Sequence, residues 1–498
     1  MSLKAIAAKW LARRVMKGIR KWSAAPKATQ EKVLRELIRK ARNTAFGNDH
    51  DFDRIFSHDD LVERVPVRDY EALRDYIDRA VSGEADVLWP GRPLYWAKTS
   101  GTTSGAKYIP LTRESMPTHI RAARNAMLCY IAETGRTDFV DGKMIFLQGS
   151  PELSLTNGVR TGRLSGIVAH YVPRYLQRNR LPSWETNCMT DWETKVDAIV
   201  EETLAEDMRV ISGIPSWIQM YFERLQEKGG RPVGELFPNF SLFIYGGVNY
   251  EPYRKKMEEL IGRSVDSIEL FPASEGFFAF QDRRNEKGML LQLNSGIYYE
   301  FIEAERFFEK DPPRLPVHRV ELGVNYVMIV STSAGLWGYN VGDTVMFTSL
   351  RPHRVVVTGR IKHFISAFGE HVIGKEVETA MELALEEFDC SVSEFTVAPQ
   401  VTPEADELPF HEWLIEWERT PEDLSSVAAF LDHQMQDQNS YYFDLIQGAI
   451  LQPLKITSVP KGGFNRYMES QGKLGGQNKV PRLSNDRQIA NQIVKLST

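Results

Sequence analysis

Apolar and polar positions change rhythm several times along the 498-residue chain. At the N-terminus Leu3, Ile6, Trp10, Val15, Ile19 and Trp22 recur at helical intervals among Lys4, Lys9, Arg13, Arg14, Lys17, Arg20 and Lys21, which predicts a basic amphipathic helix. Val33, Leu34, Leu37 and Ile38 set the inner face of a helix over 32–42, and another is expected over 70–80 after the turn Val65, Pro66, Val67. Between residues 140 and 350 short β-rich runs at 143–147, 242–245, 265–270 and 326–331 alternate with helical patterns at 195–208 and 217–228. That alternation argues for mixed α/β architecture. Residues 290–302 read as a strand pair around Asn294, Ser295 and Gly296.

The register changes after residue 350. A strand at 354–358 and a turn at Gly359 and Arg360 lead to a helix at 375–387, with Val377, Ala380, Met381 and Ala384 inward. Strand, strand, helix and strand then follow at 395, 412–417, 421–434 and 449–456. This is an α+β unit large enough for its own core. A boundary at 359–363 divides the chain into 1–360 and 361–498, and the Gly-rich, basic stretch 461–482 is expected to be a mobile loop.

Composition narrows the function classes. With 42% hydrophobic and 26% charged residues and a net charge of −5, the chain is an ordinary globular protein and not a nucleic-acid binder. Cys129, Cys188 and Cys390 lie far apart without a CxxC pattern, which argues against a disulfide framework or a zinc site and for a cytoplasmic location. No apolar run reaches the length of a membrane span. The N-terminal helix is expected to pack its apolar stripe on the body; peripheral contact with anionic lipid, or a transit-peptide role, is the other use of such a helix.

Candidate chemistry concentrates in four places. Thr99, Ser100, Gly101, Thr102, Thr103, Ser104, Gly105, Ala106 and Lys107 join hydroxyl donors, glycines that admit an anion to the backbone, and a mobile cation, which suits a polyphosphate. The spacing fails the Walker A pattern at Ala106 and Tyr108; Ser104 and Lys107 form an SxxK without its companion motifs, and no GxSxG is present. Phe271, Pro272, Ala273, Ser274, Glu275 and Gly276 follow an apolar run, placing a carboxylate at a strand's C-terminal end. There Glu275 is a candidate Mg²⁺ ligand and Phe271 a candidate to stack on a purine; the plain alternative is a helix start capped by Ser274. Tyr339, Asn340, Val341, Gly342 and Asp343 offer a carboxylate to ribose hydroxyls, or an Asx turn entering a strand. Arg360 is a candidate for ribose or phosphate, or a plain surface charge. His353, His363 and His371 match no metal-ligand spacing, and Gly246 and Gly247 hint at a close backbone approach.

Taken in order, these segments resemble the adenylate-forming superfamily, whose phosphate loop reads TSGTTGxPK. The glycine displaced to Gly105 is similar to the SSGTSxGxxK of the Gretchen Hagen 3 family of acyl acid amido synthetases. That family's YxSSE is matched loosely by Phe271 to Glu275, its YxVGD by Tyr339 to Asp343, and its GQYKxPR by Gly476 to Arg482. Val65, Pro66, Val67 and the nearby Tyr70 extend the likeness.

The resemblance implies a large N-terminal adenylate-forming domain of mixed sheets flanked by helices and a small, mobile C-terminal α+β domain. It implies ATP and Mg²⁺, with a small carboxylic acid and an amino acid as substrates, in a monomer. Ser100, Gly101, Thr102, Thr103, Ser104 and Lys107 would cradle phosphates, joined at the nucleotide by Phe271 and Ser274. Glu275 would hold Mg²⁺, Asp343 the ribose, and Arg360 would sit at the hinge, where His363 replaces the usual aspartate. Thr103 and Lys479 would be catalytic, with Lys473 second to Lys479; Ile214 and Trp217, in the run from Ser212, would line the acyl pocket. The implied reaction forms an acyl-AMP and then an amide. A ligase using CoA or a carrier thiol, and a catalytically silent nucleotide-binding homologue, are the alternatives.

Overall fold

The computed structural model describes residues 3–100, 106–172, 177–189, 192–247, 250–361, 364–365, 372–401, 403, 407–447, 450–472, 480–484 and 486–497. The chain divides into two compact units: one of residues 1–248, 258–341 and 345–356, the other of 249–257, 342–344 and 357–498.

The chain begins with helices α1 (Leu3–Ser23) and α2 (Pro26–Ala41). A hairpin follows, of strands β1 (Tyr95–Ser100) and β2 (Ala106–Leu111), and then α3 (Met116–Thr134). Strands β3 (Lys143–Phe146), β4 (Ser154–Thr156), β5 (Val159–Gly162) and β6 (Arg180–Leu181) precede helix α4 (Trp192–Thr203). β7 (Met208–Gly213), α5 (Pro215–Gly229), β8 (Leu242–Gly246), α6 (Glu251–Ile261) and β9 (Asp266–Pro272) then alternate. After them come β10 (Phe277–Phe280), β11 (Met289–Leu291), β12 (Ile297–Glu303), β13 (Leu315–Pro316), β14 (Asn325–Thr332), β15 (Tyr339–Leu350) and β16 (His353–Arg360).

Two sheets result. The smaller has the order β2-β1-β5-β4, and the larger β13-β12-β14-β15-β16-β11-β10-β9-β8-β7-β3-β6. From β6 through β3, β7 and β8 to β9 every pairing is parallel. Parallel strands joined by helices such as α4, α5 and α6 bring their C-terminal ends to one edge, where α/β folds gather ligands. Gly246 at the end of β8 is required there, because a Cβ would stand 2.4 Å from the Leu270 carbonyl oxygen.

β11 and β12 are strands as expected, but they do not pair. β14, β15 and β16 lie between them in the sheet. Buried Gln30 of α2 occupies the backbone between them: its Nε2 donates to the Leu293 and Ile297 carbonyls, and its Oε1 accepts the Tyr299 N–H. The helical pattern at 195–208 ends at Thr203, before β7 begins at Met208. α1 packs on α3: Ala12 and Ile19 share a core with Ala122, Ala126 and Cys129.

The second unit contains β17 (Phe364–Ile365), β18 (Val372–Ile373), α7 (Gly374–Glu387), β19 (Ser391–Gln400), β20 (Phe410–Arg419), α8 (Leu424–Gln438), β21 (Lys455–Val459), α9 (Gly463–Ser470) and α10 (Gln488–Ser497). Its three-stranded sheet, ordered β19-β20-β21, is covered by α7 and α8 through Val377, Met381, Trp413 and Leu431, and elsewhere by Phe464 and Ile493. The stretch expected to be a loop at 461–482 therefore holds α9. Phe464 and Tyr467 recur on one face and are buried.

Candidate active site

The two ends of the hydroxyl-rich stretch lie in paired antiparallel strands. Thr99 pairs with Lys107 and Ser100 with Ala106, so the two strands reach into the motif from both ends. Fully buried Trp96, Ala97, Ile109 and Leu111 fix the stem. Gly101, Thr102, Thr103, Ser104 and Gly105 lie outside the described residues, as do Lys473, Lys479, His363 and His371.

Tyr70 braces this hairpin. Its phenol oxygen accepts the Tyr108 N–H at 2.9 Å, and Lys107 Nζ lies 5.4 Å from the centre of its ring. A cation over the face of an aromatic ring is attracted by the ring's quadrupole. Burial pushes the phenol above its ordinary pKa, so it remains neutral. The same segment holds the start of β15: Arg68 donates its N–H to Gly338 O at 2.9 Å and accepts the Asn340 N–H at 2.8 Å. Gly338, at φ +55°, admits this approach, since a Cβ would meet Pro66 O at 2.7 Å.

Glu275 stands on a tight turn at the end of the parallel strands. Ala273 N–H donates to Gly276 O at 2.9 Å, and Gly276 N–H returns to Ala273 O at 3.3 Å, closing a turn between antiparallel β9 and β10. The helix start that Ser274 could have capped does not form. A Cβ at Gly276 would lie 2.6 Å from Ile297 Cδ1, which packs the turn against β12. Phe271, the expected purine platform, is 7% exposed, with its ring edge-on to Phe278 at 5.2 Å. Among the described residues no group of three or more His, Cys, Asp or Glu side chains is placed to hold a metal. A single half-exposed carboxylate suits Mg²⁺, which takes one or two carboxylates and completes its shell with water and substrate phosphates. His353 is buried, with Nε2 3.0 Å from Val317 O.

Asp343 and Arg360 are brought together in the second unit. The YxVGD motif begins β15 instead of preceding it, and Arg360 ends β16 instead of lying in a turn. Arg360 Nε donates to Asp343 Oδ1 at 2.9 Å. The carboxylate side chain is 12% exposed and the guanidinium 57%, so the pair is open to solvent on the arginine side and partly screened. Ile361 N–H bonds Gly342 O at 2.8 Å, and Thr358 Oγ1 donates to Thr344 Oγ1 at 2.8 Å, fixing this corner.

Immediately after the residue 473–479 stretch, Arg482 is an anchor that sequence reasoning did not assign. It is held by Glu378 at 3.3 Å, by Glu394, by the Phe395 carbonyl at 3.1 Å and by the Tyr253 hydroxyl at 3.4 Å, and it lies over the Phe395 ring. These partners push its pKa above the ordinary arginine value despite the opposing effect of burial. The flanking backbone adds to the hold, since Val397 N–H donates to Arg482 O and Ser484 N–H to Val397 O.

Ile214 and Trp217 begin α5, directly after β7. Ile214 is the residue before Pro215 at the helix's first position, and Trp217 is 6% exposed. Next to this edge the sequence reading missed Lys195 of α4. It is buried, and its Nζ donates to Gln148 O at 3.0 Å and Asn187 O at 2.7 Å, holding the chain where it leaves β3. Burial pushes its pKa down to about 8. The available signal was a lysine adjoining Val196, Ile199 and Val200 on the buried face of α4.

Comparison with known proteins places this arrangement in a family. The GH3 family N-terminal domain matches residues 15–180, the central domain 290–360 and the C-terminal domain 375–488. The jasmonoyl–L-amino acid synthetase JAR4 of Nicotiana attenuata is 21% identical over 530 residues, covering 91% of this chain and 90% of its own. The indole-3-acetic acid-amido synthetase GH3.15 of Arabidopsis thaliana is 22% identical over 576 residues, covering 92% and 90%. The solved AtGH3.15 acyl acid amido synthetase, bound to 2,4-DB, superposes with a TM-score of 0.79 at 16% identity, covering 98% of this chain and 96% of that one. A 2-hydroxyisobutyryl-CoA ligase in its postadenylation state shares the fold at a TM-score of 0.61 and 14% identity, covering 95% and 94%. With three successive domain models in order along its length, the chain belongs to the GH3 family.

Proposed function

We propose that this chain is an ATP-dependent acyl acid amido synthetase, joining a small carboxylic acid to an amino acid. The observation that carries the reading is Glu275, presented on a glycine-closed turn at the C-terminal edge of the parallel strands, in a chain whose relatives are named amido synthetases. A carboxylate oxygen of the acid attacks the α-phosphorus of ATP; the bond to the bridging oxygen breaks, and pyrophosphate leaves. The amine then attacks the acyl carbon, loses its proton, and AMP departs with the electrons of the C–O bond. Both nucleophiles belong to substrates, so no catalytic triad is needed.

The protein's share is electrostatic and positional. Ser100, Gly101, Thr102, Thr103, Ser104 and Lys107 hold the phosphates, with Tyr70 steadying Lys107. Glu275 is the residue that would hold Mg²⁺, which when bound supplies positive charge at phosphate oxygens. Ser274 shares that turn and Phe271 supports it from the core. Asp343 takes the ribose hydroxyls and Arg360 orients its carboxylate. Lys479 and Thr103 act on the α-phosphate, and Ile214 and Trp217 form the edge of the acid pocket. In this reading the chain acts as a monomer in the cytoplasm.

ATP/pyrophosphate exchange across a panel of carboxylic acids tests the first half-reaction. Exchange stimulated by at least one acid is expected, and its absence across a broad panel overturns the reading. Mass spectra of products formed with amino acids or with CoA then test the second; a thioester without an amide would replace the acceptor class.

A further inference from the structure

α1 is two-sided in an unusual way. Its inner face, carrying Ala5, Ala12 and Ile19, is buried, the last two against α3. Its other side presents Leu3, Ile6 and Trp10 to solvent at 87%, 54% and 62% exposure. The spacing of three and four residues puts these on one stripe, roughly opposite the buried one. In the following turns the same outward side carries exposed Arg13, Arg14, Lys17, Arg20 and Lys21. None of these five cations has an acidic partner among the described residues. The first acidic residue of the chain is Glu31, although the whole chain is net −5.

We propose that this outward face of α1 docks the protein on an anionic phospholipid bilayer. Leu3, Ile6 and Trp10 enter the boundary between headgroups and acyl chains, and the five cations lie along the phosphate layer, their aliphatic stems covering apolar surface. Arg14 already lies 5.7 Å from the Trp10 ring, so one residue of each kind meets at the junction of the two halves. Each alternative occupant uses only part of the pattern. A nucleic acid rewards the cations but leaves three apolar side chains in water. A second copy of α1 paired through this face would set cation against cation. No helix among the described residues is long and apolar enough to cross a membrane, so attachment here is peripheral and reversible.

Sedimentation of the full chain with vesicles tests the proposal. Binding is expected to phosphatidylcholine vesicles containing phosphatidylserine, with at least a roughly tenfold loss on pure phosphatidylcholine or in high salt. The triple variant Leu3→Gln, Ile6→Gln and Trp10→Gln keeps every cation and is expected to bind the anionic vesicles roughly tenfold more weakly. A second variant, Arg13→Gln with Lys17→Gln, keeps the apolar anchors and three of the five cations and is expected to bind roughly tenfold more weakly with a shallower salt dependence. These positions face outward, and an unchanged melting temperature confirms intact folding. Failure of wild type to bind anionic vesicles, equal binding by the triple variant, or a vesicle-free dimer that the triple variant abolishes would each overturn the proposal.

Discussion

Lys107 and the segment ending at Lys479 both adjoin a fixed anchor, but the two anchors are made of opposite materials. Beside Lys107 the anchor is neutral: a buried phenol, a buried indole and a backbone hydrogen bond from Tyr108. Beside the second stretch it is ionic, an arginine between two glutamates. A neutral anchor is nearly indifferent to salt and pH and loses its pieces separately. A half-buried ionic anchor must offset part of the desolvation of every member, so removing one leaves the others under-compensated. The first suits a surface that must stay put through both half-reactions, and the second specifies one docking of the chain at β19.

The largest effect is expected from breaking the ionic anchor. Arg482→Met leaves Glu378 and Glu394 without their guanidinium and should cost about 2–3 kcal/mol of stability, read from urea unfolding. A loss below 1 kcal/mol would show that the two anchors are not different in kind. Glu275→Ala should reduce acid-stimulated exchange by roughly 10²–10³-fold with unfolding unchanged; a wild-type rate would overturn the proposal that Glu275 holds Mg²⁺.

One buried group in each unit should answer pH with opposite sign. In the second unit, burial pushes Glu376 up to about 7 against the opposing bonds from Ile373 N–H and Asn439. Its contribution is present below the unfolded value of 4.5 and is lost as pH rises through 7. In the first, burial pushes His119 down to about 4, so its contribution is present above 6.5 and is lost as pH falls through 4. Each is on the order of 2–3 kcal/mol. Glu376→Gln should flatten the upper limb of stability against pH and His119→Gln the lower, in urea titrations at stepped pH; matching slopes in wild type and variants would refute the assignment. The smallest effect belongs to Tyr70→Phe, which keeps the ring under Lys107 and removes only the acceptor of the Tyr108 N–H. Exchange should show about a three- to tenfold rise in the KM for ATP with kcat little changed, and an unaltered KM would reduce the brace to packing.

Local features were legible where one segment decides its own structure. The helices at α2, α5 and α7, and the strands at β3, β8 and β9, follow from periodicity and burial within ten residues or so. The carboxylate of Glu275 at a strand end was legible for the same reason. Pairing was not, because neighbours in the sheet are set by distant side chains. Residues 289–303 look like a hairpin in isolation, yet Gln30 takes the backbone groups that such a hairpin would use. Arg482 reads only as the last residue of a basic, glycine-rich motif until its acids arrive from positions 378 and 394. Tyr70 stood in a recognisable run, but its contact with Tyr108 spans 38 residues and left no local trace.

The hairpin that carries Lys107 has a further consequence for how such enzymes change over generations. Its stem is set by six cross-strand pairs, from Tyr95 with Leu111 to Ser100 with Ala106. The twelve residues of these rungs are Tyr95–Ser100 and Ala106–Leu111, so a glycine moved from one place to another between the strands replaces none of them. The proposed phosphate donors between the strands and the stem that carries Lys107 are thus written in separate stretches of sequence, which can change independently.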